Sequence, residues 1–88
     1  MSDAVHRIEF TRRAERDLRA LPPDVRGRLS SRIDALGTDP RPRGARKLAD
    51  RDEIYRVRVG ALRILYEIQA RALVVLMVRV GHRRGMFR

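Results

Sequence analysis

At Ile54 the spacing of apolar residues switches from a helical to an extended period, which limits the chain to folds that layer helices on a sheet. Tyr55, Val57 and Val59 alternate with Arg56 and Arg58. Leu62, Ile64, Tyr66 and Ile68 then alternate with Arg63, Leu65 and Glu67. Gly60-Ala61 stands between them, a two-residue turn with glycine first, as a type II′ hairpin requires. A third run, Leu73 to Val80, is apolar nearly throughout, which suits a central strand covered on both faces. Gly81 closes it, ahead of a basic tail.

Upstream of the switch, Val5 to Phe10 alternates and reads as a short strand, with Thr11 as a helix N-cap. Ala14, Leu18 and Leu21 form the stripe of one helical face, and Val25, Leu29, Ile33 and Leu36 form a second. Pro22-Pro23 ends the first helix and starts the next, and Gly37 is the expected stop. Gly27 costs about 1 kcal/mol relative to alanine, so the first turn of the second helix is expected to fray. Thr38 to Asp50, with Pro40, Pro42, Gly44 and several basic residues, reads as a loop. The expectation is one α+β domain over residues 1–88: a helical hairpin on a small curved antiparallel sheet, in the order β-α-α-β-β-β.

The charge is unevenly placed. Residues 1–40 hold eight arginines against seven acids, a net of +1; residues 41–88 hold thirteen basic residues against four acids, a net of +9. Such asymmetry points to a polyanionic partner met by one part of the fold. With no cysteine, and only His6 and His82 far apart, neither a disulfide nor a metal motif is written in the chain. The opening residues carry Asp3 and Glu9 without an apolar stretch, and the longest apolar run is the seven residues from Ala72 to Val78. A cytoplasmic protein with no membrane segment and no cofactor is expected.

The Gly60-Ala61 turn sets a register: Val59 faces Leu62, Arg58 faces Arg63, and Val57 faces Ile64. Opposed arginines lie ~5 Å apart and repel one another, and Arg56 on the same face adds to them. An anion among them would relieve the repulsion, and phosphate matches the guanidinium fork. The alternative is a polar face whose arginines fan into water, with Glu67 in partial compensation. The loop Gln69 to Ala72 leaves the face of Arg79 open.

The stretch Tyr55 to Ile68 (YRVRVGALRILYEI) and the ending Val80 to Phe87 (VGHRRGMF) resemble the RelE/ParE toxin superfamily. So do Ala14 to Leu18 (AERDL), Leu36 to Pro40 (LGTDP) and Lys47-Leu48. The spacing Gly60-Arg63-Tyr66 with the terminal Gly81-His82-Arg83 carries most of the likeness. The resemblance implies the toxin of a type II toxin–antitoxin pair. RelE-like members are mRNA interferases that enter the ribosome and cleave mRNA without metal, the 2′-hydroxyl attacking the adjacent phosphate.

By position, Arg63 matches the family's phosphate-binding arginine, and Arg83 the one that stabilises the transition state or leaving group. Arg56 and Arg58 match positions of catalytic basic residues. Phe87 falls where a stacking tyrosine is usual and lacks its hydroxyl. Guanidinium is a poor general base, so His82 is the local candidate for proton transfer, with Glu67 behind it. Lys47 and Arg79 are secondary candidates. The alternatives are a ParE-like inhibitor of DNA gyrase that hydrolyses nothing, and a degenerate toxin that only binds its partner or RNA. Either toxin implies an acidic cognate antitoxin, and assembly of several copies with that antitoxin stays open.

Overall fold

A computed structural model describes residues 5–48 and 53–82. Strand β1 (Arg7–Phe10) leads into helices α1 (Arg12–Arg19) and α2 (Pro23–Thr38). Strands β2 (Arg46–Lys47), β3 (Ile54–Val59), β4 (Leu62–Gln69) and β5 (Val74–His82) follow, with one 3₁₀ turn over Ala70–Ala72. The sheet order is β1-β5-β4-β3-β2. The expected order of elements holds, but two expectations are corrected: the sheet is not wholly antiparallel, and residues 38–50 are not all loop. β1 runs parallel to β5, so the sheet is mixed, and the basic loop contributes the two-residue strand β2. No helix among the described residues is long and apolar enough to cross a membrane.

The hairpin forms in the register that its turn dictates: Val59 pairs with Leu62, Arg58 with Arg63, and Val57 with Ile64. Gly60 has φ +62 while Ala61 stays on the ordinary side, the pattern of a type II′ turn. The alternation of β4 then sorts its side chains. Leu62, Ile64, Tyr66 and Ile68 are buried on the face that receives both helices. Arg63, Leu65, Glu67 and Gln69 take the other face. A bulge between Leu65 and Tyr66 shifts the pairing with β5 and adds local bend to the sheet.

The core joins Ala14, Leu29, Ile33 and Leu36 to the buried strand residues, with Leu18, Leu21 and Val25 packed at its rim. Both helical stripes therefore face the sheet. Gly37 lies inside α2 and acts as a contact, not as a stop. His6 N donates to Gly37 O (2.7 Å), and a Cβ on Gly37 would come within 2.9 Å of His6 O.

α1 also protects a sheet edge. β1 covers β5 only as far as Met77; beyond it, α1 supplies the missing partners. Thr11 Oγ1 accepts from Ala14 N as the expected cap and donates to Val78 O. Asp17 accepts from Val80 N and from Arg79 Nε, both at 2.9 Å. Replacing Asp17 by alanine strands a backbone donor and a half-buried guanidinium together. The expected loss is about 1–3 kcal/mol, read from the urea midpoint. Asp17→Asn keeps an acceptor for Val80 N and is expected to lose less.

Candidate functional site

On the face away from the helices, Arg46, Arg56, Arg58 and Arg63 line one pocket of about 310 Å³ together with Gly44. Three strands deliver them. Arg56 and Arg58 stand two apart on β3, Arg63 faces Arg58 from β4, and Arg46 faces Arg56 from β2. Arg63 is the one buried charged side chain among the described residues, at 8 % exposure. Its neighbour across β5 is Gly81, which has no side chain to fill that flank. Arg58 is exposed and Arg56 half-buried, so the pocket grades from an anchored guanidinium to accessible ones. A set of forks converging from three strands can hold the non-bridging oxygens of a phosphate.

Arg46 is the member that sequence reading did not single out. A two-residue strand has no period to detect, and its pairing depends on a turn far from the hairpin. That turn runs from Pro42 to Ala45. Ala45 N donates to Pro42 O (3.0 Å), with Gly44 at φ +96 in the position where a type II turn needs glycine.

A second cluster pins the same loop from the helix side. Tyr66 Oη donates to Pro40 O (2.6 Å), and the Tyr55 and Tyr66 rings stack with centroids 6.0 Å apart. Arg41 Nε donates to the Tyr55 hydroxyl (2.9 Å), and its terminal nitrogen to Glu53 (2.7 Å). Those two hydrogen bonds, the one to Tyr55 first, hold the Arg41 guanidinium above its usual pKa. Burial chiefly, with the neighbouring Tyr55 in support, pushes the Tyr66 hydroxyl above its ordinary value of 10.0.

Tyr66→Phe is expected to cost about 1 kcal/mol at neutral pH by leaving Pro40 O without its donor. The native state of the parent keeps its tyrosine proton above pH 10, where the unfolded chain releases it. Stability therefore falls as pH rises beyond about 10. The variant should show a flatter alkaline limb in a urea-midpoint series.

Three secondary candidates lie elsewhere. Arg79 is paired with Asp17 and does not line the arginine pocket. Lys47 pairs with Tyr55 in register, on the helix side of the sheet, and its Nζ lies 3.8 Å from Glu53. His82 pairs with Leu62 and lines a different cleft, of about 420 Å³, between the helices and the hairpin tip. In a strand the face alternates, so Gly81 shares the face of Arg63 and His82 takes the opposite one. Glu67, the other proton-transfer candidate, accepts a hydrogen bond from Gln69 Nε2 (3.0 Å). Arg83 and Phe87 lie outside the described residues.

Two helices on one face of a mixed sheet, with an arginine-lined pocket on the other, place this protein in the class of RelE-like toxin folds. It is similar to a chain of the RelBE2 toxin–antitoxin complex of Mycobacterium tuberculosis. The identity is 30 % over 90 % of this chain and 99 % of that one, with a TM-score of 0.79. The archaeal RelE–RelB complex of Pyrococcus horikoshii matches in fold with the same TM-score at 23 % identity, over 92 % of this chain and 98 % of that one. A curated relative named RelE1, from Methanocaldococcus jannaschii, is 29 % identical over 84 residues, which cover 92 % of this chain and 93 % of that protein. The family model described as the ParE toxin of the type II toxin–antitoxin system parDE matches residues 8–87. The chain belongs to that family of type II toxins, within the RelE/ParE superfamily.

Proposed function

We propose that this toxin is a metal-independent endoribonuclease that cleaves mRNA on the ribosome. The observation that carries the reading is the convergence of Arg46, Arg56, Arg58 and Arg63 on one pocket. In the proposed reaction the ribose 2′-oxygen bonds to the adjacent phosphorus, and the bond from phosphorus to the 5′-oxygen breaks. The 2′-hydroxyl proton leaves to a base, and the 5′-oxygen takes up a proton. The products are a cyclic phosphate and a 5′-hydroxyl. Negative charge grows on the non-bridging oxygens, where preorganised guanidiniums lower the barrier, often the largest single contribution to catalysis. Arg63 and Arg58 are assigned to those oxygens and Arg56 to the flank. Arg83 is assigned to the leaving group, and Phe87 to stacking on a base.

A second reading, inhibition of DNA gyrase without hydrolysis, is favoured by one observation: the family model that matches is that of ParE toxins. Primer extension on mRNA in a purified translation system, run beside a gyrase cleavage assay, separates the two. Cuts within the codon being read support the nuclease; gyrase-dependent DNA breaks without them reject it.

An acidic cognate antitoxin is expected under either reading, given the net charge of +10. The cleft lined by Leu21, Val25, Leu29, Val59 and Leu62, with Arg28 and His82 at its edge, suits the apolar face of a helix or extended segment. A short acidic reading frame beside this gene is the genetic mark to look for; its absence counts against the assignment.

A further inference from the structure

Arg46 enters the pocket on the shortest strand of the fold. β2 has two residues, Arg46 opposite Arg56 and Lys47 opposite Tyr55, with Leu48 N donating to Ile54 O just beyond (2.9 Å). Backbone pairing of that length at a sheet edge opens at little cost. Side chains on the opposite face of the sheet supply a second hold. Arg41 Nε donates to Tyr55 Oη (2.9 Å) and its Nη2 to Glu53 (2.7 Å), while the guanidinium carbon lies 5.4 Å from the centre of the Tyr55 ring.

Lys47 returns to the same two residues. It pairs with Tyr55, and its Nζ lies 3.8 Å from Glu53. Residues 41–47 therefore form a loop whose two ends meet at Glu53 and Tyr55. Tyr66 Oη fixes the residue before the loop through Pro40 O (2.6 Å). Arg46 is the last residue inside this clasp, and the pleat sends it to the face opposite Lys47, into the pocket with Arg56, Arg58 and Arg63. Tyr55 precedes Arg56 on β3, so a tie to Tyr55 sets the loop against the strand that delivers Arg56 and Arg58. The Arg41 side chain is 54 % exposed. A pair so exposed adds little to global stability, and its effect is local: it closes one short loop.

We infer that Arg41 is a positioning residue: through Tyr55 and Glu53 on the helix side, it fixes β2 and thereby sets where Arg46 stands in the pocket on the other face. The inference rests on the reading of that pocket as the site of phosphate chemistry, and adds a residue that is not part of the pocket lining.

The first measurement does not depend on activity. Backbone ¹⁵N order parameters at residues 45–47 should fall from about 0.85 in the wild type to below about 0.6 in Arg41→Ala. Those of α2 and β4 should hold, and the urea midpoint should hardly move. Arg41→Lys still reaches Glu53 but cannot make both bonds, so it should fall between the two. Should Arg41→Ala fail to fold, Tyr55→Phe decides by the same order parameters, since it removes only the hydroxyl that Arg41 binds.

The second measurement is a double-mutant cycle on single-turnover mRNA cleavage at saturating ribosome. Arg41→Ala should slow the wild type on the order of ten-fold, with partial recovery in Arg41→Lys. In an Arg46→Ala background the same change should cost nothing further, whereas a general structural defect would add its full factor. Unchanged order at residues 45–47, a full-rate Arg41→Ala protein, or additive losses in the cycle each overturn the inference and leave the nuclease reading standing. A wild type that cuts no mRNA removes the nuclease reading instead; the order parameters then decide alone whether Arg41 fixes β2.

Discussion

Arg63→Ala is expected to abolish toxicity and slow ribosome-dependent mRNA cleavage by about 10²-fold or more, the usual consequence of removing a preorganised donor from a developing oxyanion. Position explains the size of the effect. Arg63 is on β4, flanked by strands on both sides, and is only 8 % exposed, so its guanidinium is held where a mobile surface arginine would not be. Removing it deletes a donor that water replaces poorly, because water must reorganise as charge builds. Arg63→Lys separates charge from geometry: the ammonium retains the charge and loses the bidentate fork, so an intermediate rate is expected. Single-turnover cleavage at saturating ribosome, with thermal unfolding as a check on the fold, reads both variants. Unaltered toxicity of a folded Arg63→Ala protein would remove the nuclease proposal.

Ile64→Ala should be the most damaging change to stability, with an expected loss of about 2–5 kcal/mol. A chain of 88 residues holds a net stability of roughly 4–13 kcal/mol, so this one truncation consumes much of it. Ile64 is fully buried and paired with Val57 on one side and Val80 on the other, and it lies in the same cluster as Leu29, Ile33 and Leu36. The strands cannot close over the vacancy without breaking register, so a cavity persists. Val5→Ala, at a residue 66 % exposed, should stay within about 0.5 kcal/mol. Urea denaturation of both variants gives the contrast; equal midpoints would contradict the assigned core.

The parts of this architecture legible in one dimension are those governed by neighbours in sequence. Thr11 caps α1 because its hydroxyl reaches Ala14 N three residues on, and the two apolar stripes mark the buried helix faces. A two-residue turn leaves no freedom of register, so the opposition of Arg58 and Arg63 could be deduced without coordinates. Arg56 followed from it by alternation. Arg46 did not, since the strand that carries it has only two residues and is recruited by a partner eight or more positions away. The same holds for Asp17, which reaches Arg79 across 62 positions.

His82 shows how a short-range likeness can mislead. The Gly81-His82-Arg83 sequence invites grouping the histidine with the arginines, yet pairing with Leu62 turns it toward the helices. Lys47 is separated from Arg46 in the same way, by one step of the pleat.

Periodicity, capping and the tight turn determined, from the chain alone, that helices cover a sheet and that arginines gather on one side of it. These are contacts within a few residues, where backbone geometry leaves few choices. Tertiary structure decided the rest: β1 parallel to β5, α1 along the open edge of β5, and β2 closing the pocket with Arg46. Each of those depends on which distant segments bury each other's apolar surface and satisfy each other's backbone donors, a competition settled only when the whole chain is packed.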